Sequence, residues 1–281
     1  MINKIDHLIV SVKNISEAEN NYSKLFGMNP VWRGKHTELG TINSIFNFNN
    51  IYFELLAANG EGLGAQLVNN TIEKNGEGLT GLVLGAEDLE KDKENFIKKG
   101  FDFGSVSFGE GTDFDGEKVR RWKNLFLPND LTRGLFTFLI QHTEGELPVP
   151  DKFPKSSVHK LDHVVINTND PDGFIEVYEN IYGLRLALDQ TVEKWGGRML
   201  FFRLNQTTIE VIGKKDDREI EDKLWGLAWD VEDLKATHKR LSQEGFDLTP
   251  VKEGRKPNTL VATVKSNTHN IPTLLIEHLA P

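Results

Sequence analysis

The sequence predicts an α+β protein of two domains, each a pair of β-α-β-β-β modules forming a curved, incompletely closed mixed sheet around a cleft. Three observations carry this. Four apolar openings, His7-Leu-Ile-Val, Gly81-Leu-Val-Leu, His163-Val-Val-Ile and Gly226-Leu-Ala-Trp, are each followed seven residues later by Asn14, Asp88, Asp170 or Asp233, side chains suited to capping a new helix. Each unit then reaches a glycine (Gly27, Gly100, Gly183 or Gly245) 19 or 20 residues after its opening, where a helix can end in the left-handed conformation. Finally, His7 and His163, Gly27 and Gly183, and Glu54 and Glu210 all recur at one offset, 156 residues, so the first unit pairs with the third.

Taken in order, MINKIDHLIV is apolar but interrupted by Lys4, Asp6 and His7. With no cleavage site behind it, it reads as a first strand of a cytoplasmic protein. Ile15, Ala18, Tyr22, Leu25 and Phe26 lie at helical spacing, as do Phe174, Val177, Tyr178 and Ile181 behind Pro171. Short β-rich stretches follow each of these two helices: Val31–Arg33, Ile42–Phe48 and Ile51–Leu56, then Leu186–Leu188, Met199–Leu204 and Thr208–Ile212. The second and fourth units close on Phe-Leu-Ile-Gln141-His and Leu-Leu-Ile-Glu277-His, and the second is lengthened by a Gly-rich insertion near Gly104–Gly116. Residues 143–159 carry Pro148, Pro150 and Pro154, which discourage helix and central strand alike. They read as a linker between domains at 1–142 and 160–281.

Composition narrows the function. A length of 281 residues fits about two domains. Lys and Arg number 33 against 42 Asp and Glu, a net charge of −9 that repels phosphate backbones and anionic lipid. No nucleic acid or membrane partner is expected; the expected partner is a small molecule, and a homodimer is left open. Zero cysteines exclude thiolate metal sites and cysteine nucleophiles. Strand alternation places Tyr52, Glu54 and Leu56 on one face, and Leu275 and Glu277 on one face. A strand glutamate is costly to bury unless water, a metal or a counter-charge meets it. Gly60-Glu-Gly-Leu-Gly-Ala65 fits the dinucleotide pattern, but no helix and parallel strand are expected after it. Asp113-Phe-Asp-Gly116 is too short for a calcium loop and reads as a turn.

Asp6-His7-Leu-Ile-Val, Gly34-Lys-His36 followed by Gly40-Thr-Ile-Asn43, Tyr52-Phe-Glu54-Leu, Asp115-Gly116 before Arg121-Trp122, and Phe138-Leu-Ile-Gln141-His142 resemble the glyoxalase-like domain family of the vicinal oxygen chelate superfamily. That superfamily includes glyoxalases, extradiol dioxygenases and bleomycin-binding proteins. The resemblance covers residues 1–142 well, while the C-terminal half matches the general superfamily pattern. It implies the glyoxalase/dioxygenase-like fold and a divalent cation, Zn, Ni, Mn or Fe(II), gripping two neighbouring oxygens of a substrate. The implied metal ligands are His7, Glu54 and Gln141, with a second candidate cleft at His163, Glu210 and Glu277. Gly81 and Gly226 stand where further ligands would be expected. His36 is the implied acid/base group or a fourth ligand, on what reads as a loop; Asn43, Tyr52 and Trp122 are candidate substrate contacts. His142 and His278, directly after the glutamine and glutamate, are expected on the opposite face. The function implied is a metal-dependent isomerase or lyase, with a non-catalytic binding or resistance protein of the bleomycin-binding type as the alternative. Extradiol dioxygenase chemistry is disfavoured by Gly226.

Overall fold

The computed structural model describes residues 2–150, 152–194, 196–216 and 218–280. The first half runs β1 (Ile2–Ser11), α1 (Ile15–Phe26), β2 (Trp32–His36), β3 (Thr41–Asn47), β4 (Tyr52–Ala58), α2 (Leu63–Asn75), β5 (Gly78–Ala86), α3 (Leu89–Lys98), β6 (Ser107–Asp113), β7 (Val119–Phe126), α4 (Asn129–Thr132) and β8 (Phe136–Glu144). The second runs β9 (Val158–Thr168), α5 (Pro171–Ile175, continuing as a π-helical stretch Glu176–Ile181), β10 (Arg185–Val192), β11 (Gly197–Leu204) and β12 (Thr207–Gly213). It ends with β13 (Asp222–Val231), α6 (Leu234–Gln243), β14 (Lys252–Glu253), β15 (Thr259–Val264) and β16 (Thr273–His278).

Capping fixes where the repeated helices begin. Asn14 accepts from the N–H groups of Ser16 and Glu17, Asp88 from Lys91, Asp170 from Gly173 and Asp233 from Ala236. Each chain reversal after the helix passes through a glycine at positive φ: 71° at Gly27, 96° at Gly100, 77° at Gly183 and 87° at Gly245. In both halves the first strand runs parallel to the last strand of its own module and antiparallel to the first strand of the next: β1 with β4 and β5, β9 with β12 and β13.

Closure is where the structure departs from the sequence expectation. The first sheet is a closed barrel, in the order β1-β4-β3-β2-β6-β7-β8-β5, whereas the second is an open sheet, β10-β11-β12-β9-β13-β16-β15-β14. The Gly-rich insertion makes the difference, because it supplies β6, which pairs with β2 through Gly34–Asp113 and Lys35–Thr112. Gly34 sits on that seam: a Cβ there would lie 2.4 Å from Trp32 Nε1 and 2.5 Å from the Thr112 carbonyl oxygen. The corresponding β14 is only two residues long and pairs with β15 alone.

A helix unforeseen in sequence, α2, follows Gly62. It leads to β5, which is antiparallel to β1 and so also to β4. The parallel β-α-β unit that a dinucleotide site needs is therefore absent despite the helix. The Asp113–Gly116 segment is a turn, with Asp113 Oδ1 accepting from the N–H groups of Glu117 and Lys118.

Helices coat the outside of each sheet, and the two helical sides face one another. Trp229 of β13 is fully buried, its ring 4.8 Å from Phe26 of α1, 5.0 Å from Phe48 and 5.7 Å from Phe53. Tyr22 donates to the Thr268 carbonyl at 3.0 Å, and Arg133 bonds Asp222 and Asp170. One hydrophobic core thus spans both halves. No helix among the described residues is long and apolar enough to cross a membrane.

Candidate active site

The interior of the first barrel gathers most of the polar side chains singled out from sequence. Pairing of β1 with β5 slips between Ile5 and His7, and this bulge lets two consecutive residues work together. Asp6 Oδ1 lies 2.8 Å from His7 Nδ1 and 3.0 Å from His142 Nε2, and Asp6 Oδ2 lies 3.0 Å from Lys4 Nζ. Burial pushes the Asp6 carboxyl upward, but the hydrogen bonds to His142 and His7 outweigh it and hold it well below the usual carboxylate range. Asp6 is therefore a fixed anion that orients the His7 ring.

With Nδ1 held by Asp6, His7 turns Nε2 toward Glu54, 3.5 Å from Oε2. Tyr52 stacks on the His7 ring at 4.3 Å and 12°. Asn43 donates to Glu54 Oε1 at 2.7 Å and lies 3.5 Å from His36 Nε2. His36 is not on a loop: it ends β2, is buried, and places Nδ1 2.9 Å from Thr41 Oγ1 and its ring 5.7 Å from that of Trp122. Burial pushes its pKa down, so at neutral pH it is an uncharged imidazole. The rim beyond Tyr52 is covered by the segment after β8. Asn47 donates to the carbonyls of Leu147 and Pro148, and Leu147 packs against Trp32, Ile45 and Tyr52.

Two expected ligands point elsewhere. Gln141 accepts from the Leu89 N–H at 3.2 Å, and Glu277 from the Leu234 N–H at 2.8 Å, so both side chains serve the starts of α3 and α6 on the helical side. Along β8 it is Phe138, Ile140 and His142 that face inward, and in the second half His278 replaces Glu277 in the cleft. The histidine is shared by both strand ends while glutamine and glutamate differ, a match that does not by itself set the strand's phase. Gly81 is filled in as well as empty of ligand atoms, because a Cβ there would lie 3.0 Å from Phe136 and 3.1 Å from Ile9.

The second half repeats the arrangement. Asp162 Oδ1 lies 2.7 Å from His163 Nδ1, Asp162 Oδ2 lies 2.6 Å from His278 Nε2, and His163 Nε2 is 3.1 Å from Glu210 Oε2. Asp162, Asp230 and His278 also bring ligand atoms within 4.8 Å of one another, with Lys160 Nζ 3.8 Å from Asp230.

Two ligands bonded to one ion at about 2.1 Å and a tetrahedral angle are about 3.4 Å apart. The His7–Glu54 separation matches that figure. The far imidazole nitrogen of His7 is held by the Asp6 carboxylate, the partner that metal-binding histidines usually have. Beside Glu54, the Asn43 Oδ1 is buried without a partner, an orphaned acceptor next to the carboxylate. The imidazole of His7 and the carboxylate of Glu54 therefore fit two positions of a divalent cation.

A family model described as "Glyoxalase-like domain" matches residues 5–182, more than half of the chain. The chain belongs to the glyoxalase-like domain family. A second model, "Glyoxalase/Bleomycin resistance protein/Dioxygenase superfamily", matches residues 162–263. Among proteins of curated function, none matches in sequence. Solved structures with the same fold include a variant of 4-hydroxymandelate synthase from Streptomyces coelicolor (TM-score 0.66, 13% identity, covering 100% of this chain and 94% of that one). The Mn(II)-bound glyoxalase from Novosphingobium aromaticivorans is similar to the same degree (0.66, 13%, covering 99% and 83%). A hypothetical protein from Staphylococcus aureus follows (0.64, 12%, covering 99% and 100%).

Proposed function

We propose that this glyoxalase-like protein is a metal-dependent enzyme of the isomerase or lyase type, acting on a small substrate with neighbouring oxygens inside the first barrel. The observation that carries the reading is the His7–Glu54 pair, aimed by Asp6 and closed off from water by the barrel. His7 and Glu54 would hold the ion, Zn, Ni, Mn or Fe(II), with Asn43 beside them. When bound, such an ion supplies Lewis acidity toward a carbonyl. Within this reading His36 moves the proton: neutral, buried and anchored at Nδ1 by Thr41, it keeps an Nε2 lone pair facing Asn43 when Nδ1 carries the hydrogen. Asn43 orients Glu54, while Tyr52 and Trp122 set the faces of the two histidine rings.

A second reading, a non-catalytic small-molecule binding protein, is favoured by the sparse donor set, since Gly81 and Gln141 contribute nothing. Titrating each of the four ions into chelator-stripped protein separates the two. An ion that binds the folded state at 100 times its Kd stabilises it by about 2.7 kcal/mol, so at least one should raise the unfolding midpoint. Glu54→Gln should abolish the rise, and His36→Ala should leave it intact. Absence of any rise in the wild-type protein would hand the site to the second reading.

A further inference from the structure

Arg120 was not among the residues singled out from sequence, yet it stands inside the first barrel. It shares the inward face of β7 with Trp122, is 6% exposed, and its guanidinium carbon lies 5.4 Å from the Tyr52 ring and 5.7 Å from the Trp32 ring. Its neighbour Arg121 points outward to Glu110 and Glu144. No carboxylate among the described residues pairs with Arg120, and its Nε is buried without a hydrogen-bond partner. The Tyr52 hydroxyl and two ring faces meet the guanidinium, but a buried cation with no anion beside it is still costly, and a fold keeps one where an anion arrives to meet it.

The charges of the barrel say what arrives. Asp6 is committed to Lys4, His7 and His142, and Glu54 to Asn43 and His7. The Lys4 side chain is 43% exposed, so inside the barrel two carboxylates stand against Arg120, and a divalent ion at His7 and Glu54 turns that balance into an excess of one positive charge. Since Tyr52 touches both His7 and Arg120, the excess positive charge is concentrated on one side of the cavity. We propose that Arg120 is the anion-binding residue of this site and that its ligand is a small carboxylate whose neighbouring oxygen faces the His7–Glu54 pair. This deepens the metal-site reading and rests on it for the second contact. The guanidinium offers a planar fork that matches a carboxylate, and it repels a cationic guest.

The test compares wild type with Arg120→Gln, using Mn(II) alone, Mn(II) with glycolate, and Mn(II) with glycolamide, which keeps both oxygens but not the charge. Unfolding midpoints and calorimetric affinities are the readouts. Mn(II) alone should raise both midpoints equally. Wild type should prefer glycolate over glycolamide, and Arg120→Gln should shrink that preference by at least about tenfold, leaving only the part that the Mn(II) charge supplies. A preference that is undiminished in Arg120→Gln, or missing in wild type, overturns the proposal. An Arg120-dependent preference without any Mn(II) rise supports the anion site while removing the metal reading. Should Arg120→Gln fail to fold, Arg120→Lys keeps the charge but not the fork and should lose most of the preference; full retention there also overturns it.

Discussion

The two halves carry the same four side chains in the same relation, Asp6-His7-Glu54-His142 and Asp162-His163-Glu210-His278, and differ in what surrounds them. In the closed barrel the His7 and Glu54 side chains are 4% and 9% exposed; in the open sheet His163 and Glu210 are 18% and 14% exposed. Closure comes from one strand, β6, and from the glycines that let it approach β2. The comparison teaches that the repeated residues set up the polar relay, whereas the unrepeated insertion makes one copy a buried site. Among the described residues, only the closed copy also holds a buried arginine without a counter-ion.

The largest expected effect lies at the seam. Gly34→Ala must move the backbone carbonyl of Thr112 or the Trp32 ring, and overpacking of this kind costs about 1–3 kcal/mol. Gly254→Ala, on the open sheet, meets the rotatable Thr259 hydroxyl first and should cost at most about 1 kcal/mol. Denaturant unfolding of the two variants measures the contrast, and equal losses would mean that closure is not what the seam glycines serve.

A smaller effect is expected in the second sheet as pH changes. Burial pushes the Glu210 carboxyl up, more than the neighbouring His163 offsets. Its folded pKa exceeds the unfolded one, so stability is lost as pH rises through that interval, and the cost is fully present above it. Glu210→Gln should therefore be neutral near pH 4 and stabilising by about 1 kcal/mol or less at pH 8. Midpoints measured across that range check the sign; a variant less stable than wild type at pH 8 would reverse it.

Much of this was legible in the sequence because helix caps and terminal glycines are local signals. Asn14, Asp88, Asp170 and Asp233 cap the helices that their spacing predicted. His7, Glu54, His36 and Asn43 also come together as expected. Three things were not legible. Closure depends on pairing between β2 and β6, more than seventy residues apart, which no local pattern encodes. The inward turn of His142 depends on the strand's phase, and family likeness suggested Gln141 instead. Arg120 was hidden because adjacent arginines look alike in sequence, and only the face of β7 distinguishes the buried one from the exposed one.

In the function proposed above, the closed barrel and not the open sheet holds the ion. Calorimetric titration of Mn(II) into chelator-stripped wild type, His7→Ala and His163→Ala tests it most directly. Removing a ligand should weaken binding by more than the roughly 10–100-fold that loss of an outer-shell partner costs. The account predicts that loss in His7→Ala and an affinity within about twofold of wild type in His163→Ala. Tight binding that survives His7→Ala but disappears in His163→Ala would contradict it.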